Sequence, residues 1–409
     1  MPRTRPARLL LAALASALLL PVLPATAASG AEPRKRVETW ATPGSTAITL
    51  TGHGFGHGHG LSQYGAQGAA NQGLSWKQII GFYYPGTRLG RARGPIKVLI
   101  TADKKDVVVD ARDGLRLTRL TGRKAFILAK VRPKATRWRI MPRGSRSVVS
   151  YRAPGRGGWQ KWTTFPGAAE FSAGNQPVTL RLPKHGSAEY RGALRSVEKH
   201  TVNVLPLDRY LQGVVPREVP AEWPAQAVAA RTYAAFERET ATSYYDICDT
   251  ESCQVYGGVA DEQPASNAAV KATHGRVVVY QGKPAFTQFS SSNGGYSSAG
   301  SQPYLVAQPD PYEASSDNPN DPWTATVTRA KIEKTWPAVG TLAKLSFSRD
   351  GLGAQFGGRV TSVTLTGTLG QVVQVSGDDF RFLLGLKSTW LKLDVATPRE
   401  LLRRLVPWT

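Results

Sequence analysis

Gly52-His-Gly-Phe-Gly-His-Gly-His-Gly-Leu-Ser-Gln-Tyr-Gly-Ala66 packs three histidines and six glycines into one short run. Alternate glycines remove Cβ atoms, so a ligand or another stretch of backbone can come close. Ser62 is placed to cap a short helix over Ser62 to Gln72, stopped by Gly73. Its hydroxyl and the first free helical amides then point back at whatever the loop holds. Ordinary core packing does not ask for such a loop, so it reads as part of a site.

Outward from this loop, the chain begins like an exported one. Arg3, Arg5 and Arg8 precede an apolar Leu9 to Leu20, which is short for a membrane span, and Ala25-Thr26-Ala27 follows as a cleavage signal. The expectation is a signal peptide over 1–27, no transmembrane anchor, and a secreted, bacterial cell-wall or extracellular location. In an oxidising compartment Cys248 and Cys253, five apart, suit a small disulfide loop, with metal binding as the alternative. A zinc site needs two further ligands, and none adjoins the pair.

Lys plus Arg number 52 against 29 acids, a formal charge of +23. Such a surface attracts polyanions. For an exported chain these are anionic wall polymers before nucleic acid, which is not expected as a partner. Ala135 to Trp162 concentrates Arg and Lys among Trp138, Tyr151, Trp159 and Trp162. It reads as a solvated basic sheet, with a wall-binding surface as the alternative.

The pattern predicts an α+β fold. A capping box at Ser75 to Gln78 starts a helix that ends at Pro85-Gly86. Short β runs such as Val107 to Asp110 and Val178 to Leu182 follow. Pro224 to Glu239 is the clearest helix, with proline at its first position and Val228, Tyr233 and Phe236 in an apolar stripe. Ala265 to His274 reads as a helix, Arg276 to Tyr280 and Ala285 to Phe289 as a hairpin, and Gln302 to Asp321 as a loop. Val360 to Val375 reads as two strands and Asp378 to Leu384 as a closing helix.

Glu218 is the carboxylate singled out for chemistry. It sits in Gly213-Val-Val-Pro-Arg-Glu-Val-Pro220, between valines and prolines and just ahead of the best helix. Apolar neighbours raise a carboxyl pKa toward the range a general acid needs, whereas Arg217 beside it acts the other way. Ser290 to Asn293 has no Gly-x-Ser-x-Gly elbow and no evident base, so it reads as a turn, not a nucleophile.

These segments together resemble the stage II sporulation protein D / LytB amidase-enhancer (SpoIID/LytB) family. The resemblance is carried by Tyr210 to Pro220 running into Ala225 to Ala234, by Asp246 to Gly258 with Phe289 to Gly295, and by Gly54 to Ala66 with Tyr83 to Thr87. It implies a SpoIID-like core with a β-rich inserted or accessory segment. It also implies a lytic transglycosylase cleaving the MurNAc-GlcNAc bond of peptidoglycan strands, with Glu218 as its single acid/base. No cofactor is expected, and no metal, because this chain departs from the zinc-binding members at its cysteine loop; the His57-x-His59 spacing leaves a metal as the alternative there. One carboxyl group serves both steps because a muramic hydroxyl, not water, is the nucleophile; Asp208 and Glu222 are the candidate partners for a hydrolase instead.

His57, Ser62, Gln63, Tyr64, Arg231, Tyr256, Ser291, Ser292 and Asn293 are the expected substrate contacts. His57 matches the family's histidine, whereas His53 and His59 fall where the family varies. Ser252 and the tyrosines before Asp246 stand where zinc-binding members carry histidines. The alternative from another class is a non-catalytic wall-binding protein that recruits or stimulates an amidase, which makes a wall amidase a candidate partner.

In the family the glycine-histidine block follows the catalytic segment, but here it precedes it, which implies a rearranged order around one site. The expected division is 1–27 signal peptide, 28–45 flexible lead-in, and 46–95 glycine/histidine loop and helices belonging to the core. A basic β-rich insert over 96–200, a catalytic core over 201–395 and a basic tail over 396–409 complete it.

Overall fold

A computed structural model describes residues 37–41, 46–183, 185–218, 224–315, 317–353 and 355–394. The expected signal peptide, the tail over 396–409 and Glu222 lie outside the described residues. Among the described residues no helix is long and apolar enough to cross a membrane. The architecture is α+β.

Strands with every second residue buried build two large sheets. Val107–Asp110 and Val178–Leu182, with Val107, Val109, Val178 and Leu180 inward, are central in a six-stranded sheet. Its order is Gln160–Pro166, Arg146–Arg152, Arg137–Arg143, Val107–Asp110, Val178–Leu182, Gly186–Tyr190. A seven-stranded sheet contains Ile247–Cys248, Pro95–Ile100, His200–Pro206 and Ala193–Val197 as successive neighbours. This sheet runs continuously through residue 200, because Pro95–Ile100 pairs antiparallel with His200–Pro206 and parallel with Ile247–Cys248.

The Pro224–Thr240 helix lies between two cores. Ala227, Ala230, Ala234 and Ala235 join the core under the large sheets, whereas Ala225, Val228 and Ala229 join a second core with Leu61, Ile80, Tyr84 and Leu305. Burial on two sides explains its alanines, since small side chains let neighbours approach from both directions. The apolar stripe expected from Val228, Tyr233 and Phe236 is therefore only part of a wider buried surface. A third core, around Leu345, Phe347, Val363 and Phe380, packs the Gly377–Leu384 helix onto the Leu342–Arg349 and Val360–Gly367 strands.

Two expectations need correcting. Val37–Ala41, assigned to a flexible lead-in, is a strand paired antiparallel with Leu342–Arg349, and the Thr39 and Ser346 hydroxyls bond at 3.0 Å. The second strand of the predicted hairpin is Lys283–Pro284, not Ala285 to Phe289. Gln281 and Gly282 both take positive φ, 49° and 80°, which makes the two-residue turn that starts pairing at once. The chain then bends through Thr287 N–H to Ala285 C=O, 2.9 Å, and the Thr287 hydroxyl donates to Ala229 C=O, 2.9 Å. Phe289–Ser290 is thereby delivered to a different partner, Leu61–Ser62, in parallel pairing.

Candidate functional site

That pairing sets the glycine-histidine loop against the Ser290 to Asn293 turn. Phe55 N–H donates to Ser292 C=O at 2.8 Å, and Tyr64 N–H to Ser291 C=O at 3.0 Å. The glycines serve this backbone contact. A Cβ on Gly54, at φ +78°, would lie 2.8 Å from the Ser292 oxygen, and one on Gly60 would lie 2.2 Å from the Gln288 oxygen. The close approach inferred for these glycines is to a neighbouring strand of the same chain.

Ser62 caps the Gln63–Asn71 helix by accepting from Gly65 N–H at 3.1 Å. The same hydroxyl donates to the Glu313 carboxyl group. Glu313 also accepts from Asn293 N–H at 2.7 Å, Asn318 Nδ2 at 2.7 Å and the Ser292 hydroxyl at 3.1 Å. Burial pushes its pKa up to about 7, against the pull of these donors, with the nearby Asp310 carboxyl group raising it further. Asp310, itself raised by burial, accepts from the Tyr83 hydroxyl and from Asn293 Nδ2, both at 2.7 Å. Two buried carboxyl groups thus hold the turn from behind.

His57 is partly buried and stacks on His59 with ring centroids 4.9 Å apart. His59 N–H donates to His57 Nδ1 at 2.9 Å, which requires that nitrogen to carry a lone pair. Burial, then His59 and the cations of Arg381 and Arg359, lower the His57 pKa to about 3. Arg359 is buried over the Trp390 ring and donates to Asn293 C=O at 2.7 Å. Burial lowers its pKa to about 10, so it stays charged at neutral pH. His57 is a neutral imidazole beside a fixed cation.

The structure therefore gathers His57, Ser62, Gln63, Tyr64, Ser291, Ser292 and Asn293 into one constellation. Ser62, Ser292 and Asn293 are fully buried and engaged by Glu313 or Asp310. They support the loop instead of lining an open groove. His57, Tyr64 and Ser291 keep partial exposure, and the Phe55 ring is exposed.

Arg231 and Tyr256 are elsewhere. The buried Arg231 guanidinium donates to Asp208 at 2.6 Å and to the carbonyls of Val270 and Arg276 at 3.1 Å each, so both residues serve to lock helices together. The buried Tyr256 hydroxyl donates to Asn203 Oδ1 at 2.8 Å, and its ring packs beneath Gly213. Both were expected at the substrate; their contacts are with the core.

Cys248 and Cys253 are joined in a disulfide, with Cα atoms 5.5 Å apart. Asp249 inside that loop accepts from the Thr101 hydroxyl at 2.7 Å and from its N–H at 3.1 Å, pinning the sheet edge. Glu218 ends a short helix, Val215–Glu218, that packs against the Leu207–Gln212 and Pro224–Thr240 helices. Its side chain lies outside the described residues. Val214 and Val215 beside it are buried in the main core.

The span containing this short helix, the long helix and the disulfide loop matches the family model described as "Stage II sporulation protein" (SpoIID) over residues 195–280. Residues 195–280 are similar to the SpoIID family. The chain is 35% identical over 129 residues to the amidase enhancer of Bacillus subtilis (strain 168), covering 30% of this chain and 17% of that protein. It is 29% identical over 238 residues to the stage II sporulation protein D of the same organism, covering 51% of this chain and 65% of that one. The chain thus spans less than two thirds of the length of these relatives. No solved structure matches it significantly.

The SpoIID match spans residues 195–280, so the glycine-histidine loop before it and the Ser290 turn after it both lie outside it. The Pro224–Thr240 helix links them to the matched segment, because it packs on the Gln63–Asn71 helix that Ser62 caps. Asp310, Glu313, Asn318 and Arg359 were not anticipated. For the first three the signal was the length of the Gln302 to Asp321 loop, since long structureless loops in compact domains are uncommon and tend to be functional; Arg359 lies outside that loop, just before the Val360–Gly367 strand.

Proposed function

We propose that this is an exported peptidoglycan lytic transglycosylase acting at the bacterial cell wall, with Glu218 as its acid/base. The observation that carries the reading is the position of Glu218 in the segment that matches the SpoIID family model, between buried Val214 and Val215 and the long helix that also packs beside the glycine-histidine loop. The apolar sequence neighbours of Glu218 favour the protonated carboxyl group. Glu218 gives its proton to the glycosidic oxygen as the C–O bond breaks. It then takes the proton of the muramic hydroxyl as that oxygen closes the anhydro ring, so the residue returns to its starting state.

In this reading the glycan runs over the exposed edge of the loop. The Phe55 ring offers an apolar face to a sugar, and Tyr64, Ser291 and the neutral His57 offer hydrogen bonds. Arg359 fixes the turn and adds positive charge without contacting the strand. Purified protein incubated with glycan strands should yield products ending in anhydro-muramic acid by mass spectrometry. Reducing-end muramic acid would make the protein a hydrolase.

The name of the relative called amidase enhancer favours a second reading, a wall-binding protein that stimulates an amidase. It predicts no glycan cleavage by the purified protein and faster peptide release when an amidase is added.

A further inference from the structure

From residue 132 to residue 161 the chain carries nine Lys or Arg and no acidic residue. Most of this stretch forms the antiparallel strands Arg137–Arg143, Arg146–Arg152 and Gln160–Pro166. Their inward residues Trp138, Ile140 and Val149 are buried, which turns the arginines onto the opposite face.

On that face Arg137 stands directly across from Arg152, and Arg143 directly across from Arg146. Like charges in directly opposed positions destabilise a strand pair, so fold stability alone does not account for them. Asp110 offsets one side only, accepting from Arg181 at 2.6 Å and lying 3.4 Å from Arg137. Among the described residues, Arg152 and Arg156 have no carboxylate partner, and both are exposed. Arg137, Arg152, Arg156 and Arg181 line one open groove with Thr136 and Gly158.

We propose that this groove binds a polyol-phosphate polymer, a flexible chain with a phosphodiester at each short repeat. The groove gathers four guanidinium groups from neighbouring strands and the loop after Arg152, and each presents a fork of donors to phosphate oxygens. The aromatic residues of the stretch argue for phosphate contact without base stacking. The guanidinium carbons of Arg139 and Arg152 lie 4.5 and 4.9 Å from the Trp159 ring centre. Arg132 lies over Tyr151, and Trp162 packs edge-on against Phe126 and Trp138. Single-stranded nucleic acid is held on free aromatic platforms, and these rings are already occupied. The inference is independent of any glycan-cleaving activity, since it rests on a different sheet.

The test is binding of fluorescent poly(glycerol phosphate) by the purified full chain at about 50 and about 200 mM salt, with an oligo(dT) of equal charge in parallel. Wild type should prefer the polyol phosphate and weaken steeply with salt. The triple variant Arg137→Gln, Arg152→Gln, Arg156→Gln should lose on the order of tenfold to a hundredfold in affinity, as the removal of three phosphate contacts requires. Its melting temperature should be unchanged or higher, because opposed charges are gone. A control with the exposed Lys271→Gln, Lys283→Gln and Lys334→Gln should bind like wild type. Equal loss in the control, no loss in the arginine variant, or tighter binding of oligo(dT) would each overturn the proposal.

Discussion

The Ser62 hydroxyl is hydrogen-bonded to the Glu313 carboxyl group, joining the first turn of the loop's helix to a residue 251 positions later in the chain. The hydroxyl caps the helix through Gly65 N–H and also faces Asn293 N–H at 3.4 Å. One buried carboxyl group thus holds helix start, turn and loop in register.

Replacing Glu313 by Ala should lower unfolding free energy by about 2–3 kcal/mol, because several buried donors lose their acceptor. Glu313→Gln, which keeps one acceptor oxygen, should cost less and should change the pH dependence. The carboxyl pKa is raised from 4.5 to about 7, so the folded state retains a proton that the unfolded state gives up. That contribution to stability is present below pH 4.5 and is lost as pH rises to about 7, by up to about 3 kcal/mol. Denaturant titrations of wild type and Glu313→Gln across this range should diverge accordingly; parallel curves would show that Glu313 ionises normally.

His57 runs the opposite way. With its pKa lowered from 6.5 to about 3, the unfolded state binds the extra proton, so stability falls as pH drops from 6.5 toward 3. Imidazole nitrogen shifts measured by NMR should show His57 neutral at pH 5. An imidazolium signature there would contradict the assigned hydrogen bond from His59 N–H.

Glu218→Gln should abolish glycan cleavage, by at least about a hundredfold as loss of a general acid/base requires. The thermal melt and the binding of glycan strands should stay close to wild type. A variant with full activity would remove Glu218 from the reaction.

Thiol labelling of the unreduced, denatured protein should find no free cysteine. Reducing the Cys248–Cys253 bridge should cost about 2 kcal/mol, the loop-closure value for so short a loop. The first segment to lose amide protection should be the sheet edge at Ile247–Cys248, since Asp249 in the same loop holds Thr101. Stoichiometric zinc with two free thiols would refute the bridge.

Local physics made several elements legible from the sequence alone. The caps at Ser62 and Ser75 form within three residues of themselves. Val107–Asp110 and Val178–Leu182 follow from alternation, and the Pro224–Thr240 helix from its proline start and alanine content. The sequence also singled out the loop and the Ser290 to Asn293 turn, which the fold brings together. Their roles within that constellation were settled by distance in space. Whether a serine faces solvent or a buried carboxyl group depends on which loop closes over it, and Gln302 to Asp321 has no periodicity to announce its course. Arg231 and Tyr256 were misplaced for the same reason, as a polar side chain in a motif looks alike whether it awaits a ligand or locks two helices. Burial and partner identity are sums over contacts hundreds of residues apart, and only the packed chain decides them.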